Sequence, residues 1–395
     1  LFLIAYYRYL GVLAALALAM YAMISLATLQ AIGAVLTLPG IAGFVLAIGM
    51  AVDGNVLVFE RIKEEHATGR SLRNSARAGF RRAFTAIADS NVTTLVAALL
   101  LYFFASGGVR GFGITLSIGV LASMFTTLVV TRMMIDVSVQ SKRMTKSPKV
   151  WGMHVGSRLR ERILERGPNL VARRRLWFML SALAVATAAL GIGVRGVEYG
   201  LEFTGGRLIE YQIDDPVELD DVRENLAAAG FPRAIVQQTG DNRVSVRVNE
   251  LETAEQQAVT DAVTDAAGPV TEVRDEFVGP TIGNELRQRA LIALGLALLA
   301  QLAYLAVRFR WTYGTSAVVA VFHDAIIVIG VFAWLGKSFD GVFVASLLTV
   351  IGYSVNDTVV IFDRIRELLR RYKQMPLGDL IDLATNQTLA RTIMT

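Results

Sequence analysis

The sequence predicts an α-helical polytopic membrane protein, a bundle repeated about a pseudo-twofold axis, with a small α+β domain of ferredoxin-like order outside the membrane. Three observations carry this: a composition too apolar for solution, eight apolar runs of spanning length, and a sixteen-residue segment that occurs twice. Hydrophobic residues make up 54% of the 395 and charged residues only 18%. Mean hydropathy is +0.49, outside the usual range of soluble domains.

Crossing about 30 Å of hydrocarbon takes roughly 20 helical residues. Suitable runs lie at 10–30, 36–59, 84–105, 111–131, 176–194, 286–307, 315–335 and 341–362. Helix is the expectation for all eight, because every backbone polar group in lipid needs an internal partner. Lys and Arg set the orientation. Seven basic residues fall in the loop 60–82 and twelve in 132–175, which places both inside; Arg308 and Arg310 mark another inner turn, and Arg364 to Lys373 a further one. The turns between them hold at most one basic residue each. Eight spans satisfy this parity.

Residues 195–282 then fall outside, and they carry seven Arg, no Lys and eighteen Asp plus Glu, a net of −11. LIEYQI, AIVQQ, RVSVRV and TEVRDEF read as strands, while DVRENLAAAGF and TAEQQAVTDAVTDAAG read as amphipathic helices. The order β-α-β-β-α-β is that of a ferredoxin-like module. Domain boundaries follow: a first transmembrane half at 1–136, a basic inner linker at 137–175, one helix at 176–194, the acidic domain at 195–282, and the rest of the second half at 283–395. The linker reads as a solvated loop touching anionic lipid rather than a nucleic-acid site, so no nucleic-acid partner is expected.

The repeat sets MAVDGNVLVFERIKEE (50–65) against YSVNDTVVIFDRIREL (353–368), with six identities in an ungapped alignment. Both copies end a helix that runs from outside to inside. Such halves form a parallel repeat about an axis along the membrane normal, a layout found in transporters. Each copy buries an acid. Asp53 lies about 12 Å and Asp357 about 10 Å from the next arginine along the helix. An ionised carboxylate at that depth costs about 2.5 to 3.5 kcal/mol even on the lenient insertion scale, so it faces the bundle interior and pairs or takes up a proton. Two readings stand: a proton-loading group, or a hydrogen bond that fixes helix packing. Asn55 and Asn356 suit either, as uncharged groups that orient a carboxyl. Asp53 aligns with Asn356 and Asp357 is shifted by one position, so a symmetric pair of acids is not implied.

His323 and Asp324 are secondary candidates for a proton relay or a structural hydrogen bond, and Asp89 with Asn91 reads as structural. Arg391 lies in NQTLARTIMT, which resembles the start of a further helix; there it would be a counter-ion to Asp357, or else a snorkelling loop arginine. Gly33, Gly40, Gly43 and Gly49 read as close helix-packing positions. Zero cysteines exclude disulfides and thiolate sites, and three scattered histidines (His66, His154, His323) make no metal constellation. There is no P-loop and no Gly-x-Ser-x-Gly. The expectation is a protein that is not an enzyme, has no cofactor, and draws on an ion gradient rather than nucleotide.

TLPGIAGFVLAIGMAVDGNVLVFERIKEE (37–65) and VRGFGITLSIGVLASMFTTLVVTR (109–132) resemble the SecD protein-export membrane proteins. VEYGLEFTGGRL (197–208), AVFHDAIIVIG (320–330) and LTVIGYSVNDTVVIFDRIREL (348–368) resemble SecF, in the same order. The whole is similar to the fused SecD–SecF family of the RND superfamily. That resemblance implies an RND-like bundle that uses the proton-motive force to help draw unfolded preproteins through the SecYEG translocon, in the bacterial cytoplasmic (inner) membrane, with YajC and YidC as further partners beside the membrane lipids. It assigns the functional acids to Asp53 and Asp357 and the functional arginine to Arg391, and it makes LEFTGG (201–206) the opening of the exported domain. Relative to the family pattern, the SecD first helix and large exported domain are not present before Leu1, and only the start of one more SecF helix follows the inner loop. The expectation is a chain that begins partway through a helix and holds eight of twelve spans. The alternatives are an RND-type exporter of small molecules or lipids, which would share the acids and the repeat, and a passive scaffold that would dispense with the acids.

Overall fold

The computed structural model describes residues 2–141, 148–153, 167–214, 217–238, 242–248, 255–308 and 311–394. His154, Arg310 and parts of the predicted linker lie outside them. Two compact units are present: residues 1–196, 293–336 and 344–395 form one, and 197–292 with 337–343 the other.

The first unit is helical. A short α1 (Phe2–Tyr7) leads to α2 (Tyr9–Ala31), α3 (Leu38–Ala67), α4 (Leu72–Phe104) and α5 (Gly107–Phe125). A π-helical stretch, Thr126–Thr131, continues α5 into α6 (Arg132–Ser138). After α7 (Arg174–Arg195) the chain makes the second unit and returns through α11 (Pro280–Arg308), α12 (Trp311–Trp334), α13 (Gly341–Arg371) and α14 (Leu377–Met394). Eight of these helical segments are long and apolar enough to cross a membrane. Their outward faces carry large apolar side chains, such as Phe178 at 73% and Met179 at 70% exposure on α7. Lipid is the solvent such faces match.

The loop expected at 60–82 is mostly helix. α3 runs on to Ala67 and α4 starts at Leu72, so only Thr68–Ser71 turns the chain, through Gly69 at φ +85°. That conformation suits a residue without Cβ. Few helix breakers interrupt 60–82, and i, i+3 pairs such as Glu60–Lys63 at 3.2 Å support the helix through its charged part. The N-terminus of α3 is capped by Thr37, whose hydroxyl accepts from the Gly40 N–H at 3.2 Å.

Lipid tails are as apolar as leucine, so helices in membranes associate through close packing of small residues. A Cβ on Gly43 would lie 2.9 Å from the Phe112 carbonyl oxygen, and one on Gly49 would overlap the Tyr353 hydroxyl. Gly40 likewise faces Thr115. Gly33 does not fit the packing expectation. It has φ +65° and nothing within 4 Å of a Cβ, so it serves the turn after α2. On the other side of the unit, Gly330 of α12 abuts the backbone of Ala188 on α7.

The linker is not wholly a solvated loop. Trp151 is fully buried against Tyr9, ring centroids 5.2 Å apart, and the Tyr9 N–H donates to the Val150 carbonyl at 3.2 Å. Residues 148–153 thereby strap the linker to the core that also holds Phe59 and Ile62.

In the second unit α8 (Leu201–Thr204) precedes β1 (Gly206–Ile213), α9 (Leu219–Ala228), β2 (Ile235–Gln238), β3 (Arg243–Val248), α10 (Gln256–Ala267) and β4 (Val270–Val278). The sheet order is β2-β3-β1-β4, all pairs antiparallel. This is the ferredoxin-like arrangement the element order predicts. Alternation places Ile209, Tyr211 and Ile213 of β1 with Val244, Val246 and Val248 of β3 in one core beneath Leu226 and Val263 of the two helices. Tyr211 donates to or accepts from Thr260 at 2.9 Å, and burial pushes its hydroxyl pKa up to about 12. Arg207 makes a two-point contact with Asp275, 2.7 Å from Nε to Oδ1, and these bonds hold the Asp275 carboxyl below the usual carboxylate range. Glu202 accepts from the Gly341 N–H at 3.0 Å at the start of α13, and burial raises its carboxyl above the ordinary value.

Candidate functional site

Asp53 lies mid-helix in α3 with 4% of its surface exposed. Arg391, in the last turn of α14 and equally buried, grips both carboxylate oxygens: Nε donates to Oδ1 at 2.6 Å and Nη2 donates to Oδ2. Asn356 of α13 donates to the same Oδ2 at 2.6 Å, and Ser90 of α4 donates to the Asn356 carbonyl oxygen. Four helices therefore converge on one carboxylate. A cavity of about 10 Å³ beside it, lined by Asp53, Ser90, Asn91 and Asn356, has room for about one water molecule.

The local sequence explains each placement. α14 starts directly after Pro376, and its Leu380 and Ala384 pack on Ile365 and Leu368 of α13. Gln387 accepts from Arg364 Nε at 2.6 Å and fixes the helix's rotation. Arg391 lies four residues on, one turn further, on the same face. Asp357 sits one position beyond Asn356, turned by about 100°. It receives the Thr392 hydroxyl at 3.0 Å, and its Oδ1 is 3.6 Å from Arg391 Nη1, an ion-pair distance beyond hydrogen-bond range. With its side chain 31% exposed, Asp357 is also the more open of the two acids.

The arginine expected opposite Asp357 is thus bound first to Asp53 and stands between both acids. Asn55 does not orient a carboxyl. It lies two residues after Asp53, about 200° around the helix, and accepts from Thr131 at 2.8 Å while its amide donates to the Ala51 carbonyl. Thr131 belongs to the π-helical stretch, a feature frequent at functional sites. His323 and Asp324 bond each other at 2.9 Å, and Ser354, one turn before Asp357, donates to Asp324 at 2.5 Å; neither bond reaches Asp53. Asp89 accepts from Arg308 at 2.8 Å and from Tyr304 at 3.2 Å.

About two turns toward the arginine-bearing end lies a cluster that local sequence reading misses. Arg61 pairs with Glu64 and with Glu367, both at 3.0 Å; Arg364 pairs with Glu367 at 2.7 Å and with Glu64 at 3.4 Å. Arg61 aligns with Arg364 and Glu64 with Glu367 in the repeat. Each arginine thus bonds its own half's glutamate and the other half's. That exchange is what a pseudo-twofold axis between α3 and α13 requires. By charge pattern alone these arginines read only as inner-side cations. The signal available was the repeat itself, which pairs like positions.

A polytopic helical bundle with two related halves, a carboxylate–arginine pair at their junction and a ferredoxin-like module defines the class: a transporter-like membrane protein. Comparison with known proteins makes it specific. The family described as protein export membrane protein SecD/SecF, C-terminal, matches residues 1–140 and 258–395, and the SecD/SecF GG motif matches 191–217. The chain belongs to the SecD/SecF protein-export membrane protein family. The protein translocase subunit SecDF of Brucella abortus is 37% identical over all of this chain and 52% of its own length; that of Bacillus subtilis is 31% identical over all of this chain and 55% of its own. The crystal structure of SecDF, a translocon-associated membrane protein from Thermus thermophilus, is 36% identical, with a TM-score of 0.85 over 100% of this chain and 53% of that one. A structure of SecDF in a super-membrane-facing form gives 0.75 at 36% identity, over 99% of this chain and 53% of that one. The chain spans about half the length of the SecDF relatives it matches. It is a multi-pass membrane protein.

Proposed function

We propose that this chain is the proton-coupled membrane part of an accessory subunit of the bacterial Sec machinery, using the proton-motive force to promote preprotein translocation across the cytoplasmic membrane. The SecYEG translocon is its partner, residues 137–175 face the cytoplasm, and the acidic module 195–282 lies on the far side. The observation that carries the coupling is the buried Asp53 carboxylate gripped by Arg391, with Asp357 the next acid within reach of the same guanidinium. An unpaired charge at that depth is costly. Protonation of Asp53 therefore removes the reason for Arg391 to stay, and Asp357 becomes its counter-ion. Release of the proton reverses the exchange. Because α14 carries Arg391 while α3 and α13 carry the acids, each exchange shifts one helix against two others, which is the kind of two-state element that ion coupling needs.

The test is proton flux in vesicles holding the full-length protein under an imposed pH gradient, with preprotein translocation followed in parallel. Asp53→Asn and Asp357→Asn are expected to abolish flux and slow export while inserting at normal levels. Flux and export surviving both substitutions would leave the acids as packing groups and the protein as a scaffold.

A further inference from the structure

At the arginine-bearing end of the helical unit lies a cavity of about 760 Å³, within the size range of small-molecule sites. Seven arginines and three carboxylates line it, with the hydroxyls of Thr68 and Thr85. The carboxylates are already matched: Arg70 and Arg82 hold Glu65, and Arg366 holds Asp363 at 2.7 Å. Glu367 is held by the quartet. Arg81, Arg370 and Arg371 are left exposed on the wall, and among the described residues no carboxylate lies within ion-pair distance of them. Three guanidinium groups without a carboxylate partner, Arg371 among them over the Tyr372 ring at 5.5 Å, ask for an anion with several oxygens, and the planar fork of arginine suits phosphate.

The depth of the cavity selects the source. Arg81 and Arg82 stand immediately before the apolar run of α4 that begins near residue 84, and Arg366 to Arg371 follow the apolar run of α13 that ends near 362. At 1.5 Å per residue Arg81, Arg82 and Arg366 lie within about 6 Å of those ends, level with the headgroup layer, while Arg370 and Arg371, about 12 to 14 Å out, line the same cavity from its aqueous side. Basic pockets between spanning helices are suited to phosphate headgroups. We infer that this cavity is a binding site for the phosphate headgroup of an anionic phospholipid, seated between α3 and α4 of one half and α11 and α13 of the other. A bound headgroup would bridge the two halves beside the ion-pair quartet.

The test uses the full-length protein in mild detergent, incubated with equal amounts of phosphatidylglycerol and phosphatidylcholine and read by native mass spectrometry. Wild type is compared with the triple variant Arg81→Gln/Arg370→Gln/Arg371→Gln and with Arg223→Gln/Arg233→Gln/Arg243→Gln, which removes equal charge from exposed positions of the acidic module. Each removed charge is expected to weaken phosphatidylglycerol retention about fivefold before screening. The cavity triple should thus lose the preference by well over tenfold while the control keeps it. Equal loss in both triples, or none in either, overturns the site. A parallel arm with millimolar inorganic phosphate separates the sources: a phosphate adduct that the cavity triple loses, with phosphatidylglycerol unaffected, overturns the lipid assignment for a soluble ligand. If the triple fails to fold, Arg370→Gln alone must still show its fivefold loss.

Discussion

Truncating the Asp53–Arg391 pair one member at a time gives the sharpest energetic prediction. Both residues are 4% exposed, and the guanidinium meets both carboxylate oxygens. Two unit charges about 4 Å apart at an effective dielectric near 20 attract by about 4 kcal/mol. Removing one partner from such a pair strands the other and costs about 3 to 5 kcal/mol. Asp53→Asn leaves Arg391 with Asp357 at 3.6 Å, which recovers part of the loss. Arg391→Gln leaves Asp53 with only the Asn356 amide and strands a charge outright. Arg391→Gln is therefore the worse single change at pH 7, by about 1 to 2 kcal/mol. The double variant strands neither, so it should be more stable than Arg391→Gln alone, with a coupling of about 1 to 3 kcal/mol. Reversible unfolding in mixed micelles, followed by tryptophan fluorescence, measures all four corners of the cycle. Additive costs within about 0.5 kcal/mol would refute the reasoning.

Other substitutions probe the remaining links. Arg61→Gln should destabilise by about 1 to 3 kcal/mol and Arg364→Gln by more, because the repeat gives both the same two glutamates and Arg364 also donates to Gln387; the same unfolding assay would contradict this if either were neutral. Gly330→Ala forces a Cβ to 2.3 Å from the Ala188 backbone and should cost about 1 to 3 kcal/mol, whereas Gly295→Ala, with open space, should not; equal thermal shifts for the two would count against close packing of α7 on α12. The Asp275 carboxyl sits below its ordinary value, so its contribution to stability is full above about pH 4 and is lost as pH falls through the depressed value. Hydrogen exchange in Gly206–Ile213 should accelerate beyond its intrinsic pH dependence over that acid range, and Arg207→Gln should abolish the effect.

Much of this was legible because the membrane simplifies the code. A run of roughly twenty apolar residues can only be a helix there, and a lone Asp53 inside one stands out. The ferredoxin-like module was legible through Ile209, Tyr211 and Ile213, whose alternation survives in the sheet. Helix ends were less so: the charged tail Glu60–Ala67 reads as loop to a hydropathy rule, yet its i, i+3 pairs keep it helical. The partner of Arg391 was hidden for another reason. Contact with Asp53 spans 338 positions, and rotation by a single residue decides which acid faces the guanidinium. No local pattern reports that rotation.

The contact between Asp53 and Asn356 also bears on what a single chain can do that a homodimer cannot. These two side chains occupy the same position of the repeat and touch each other, so the pseudo-axis passes between them. In a homodimer of identical half-length chains, whatever residue stands at that position must meet its own copy: two aspartates would repel, and two asparagines would hold no proton. Joining the halves in one chain frees each copy to diverge. An acid can then face an amide, a heterogeneous centre that two identical chains meeting on an axis cannot make.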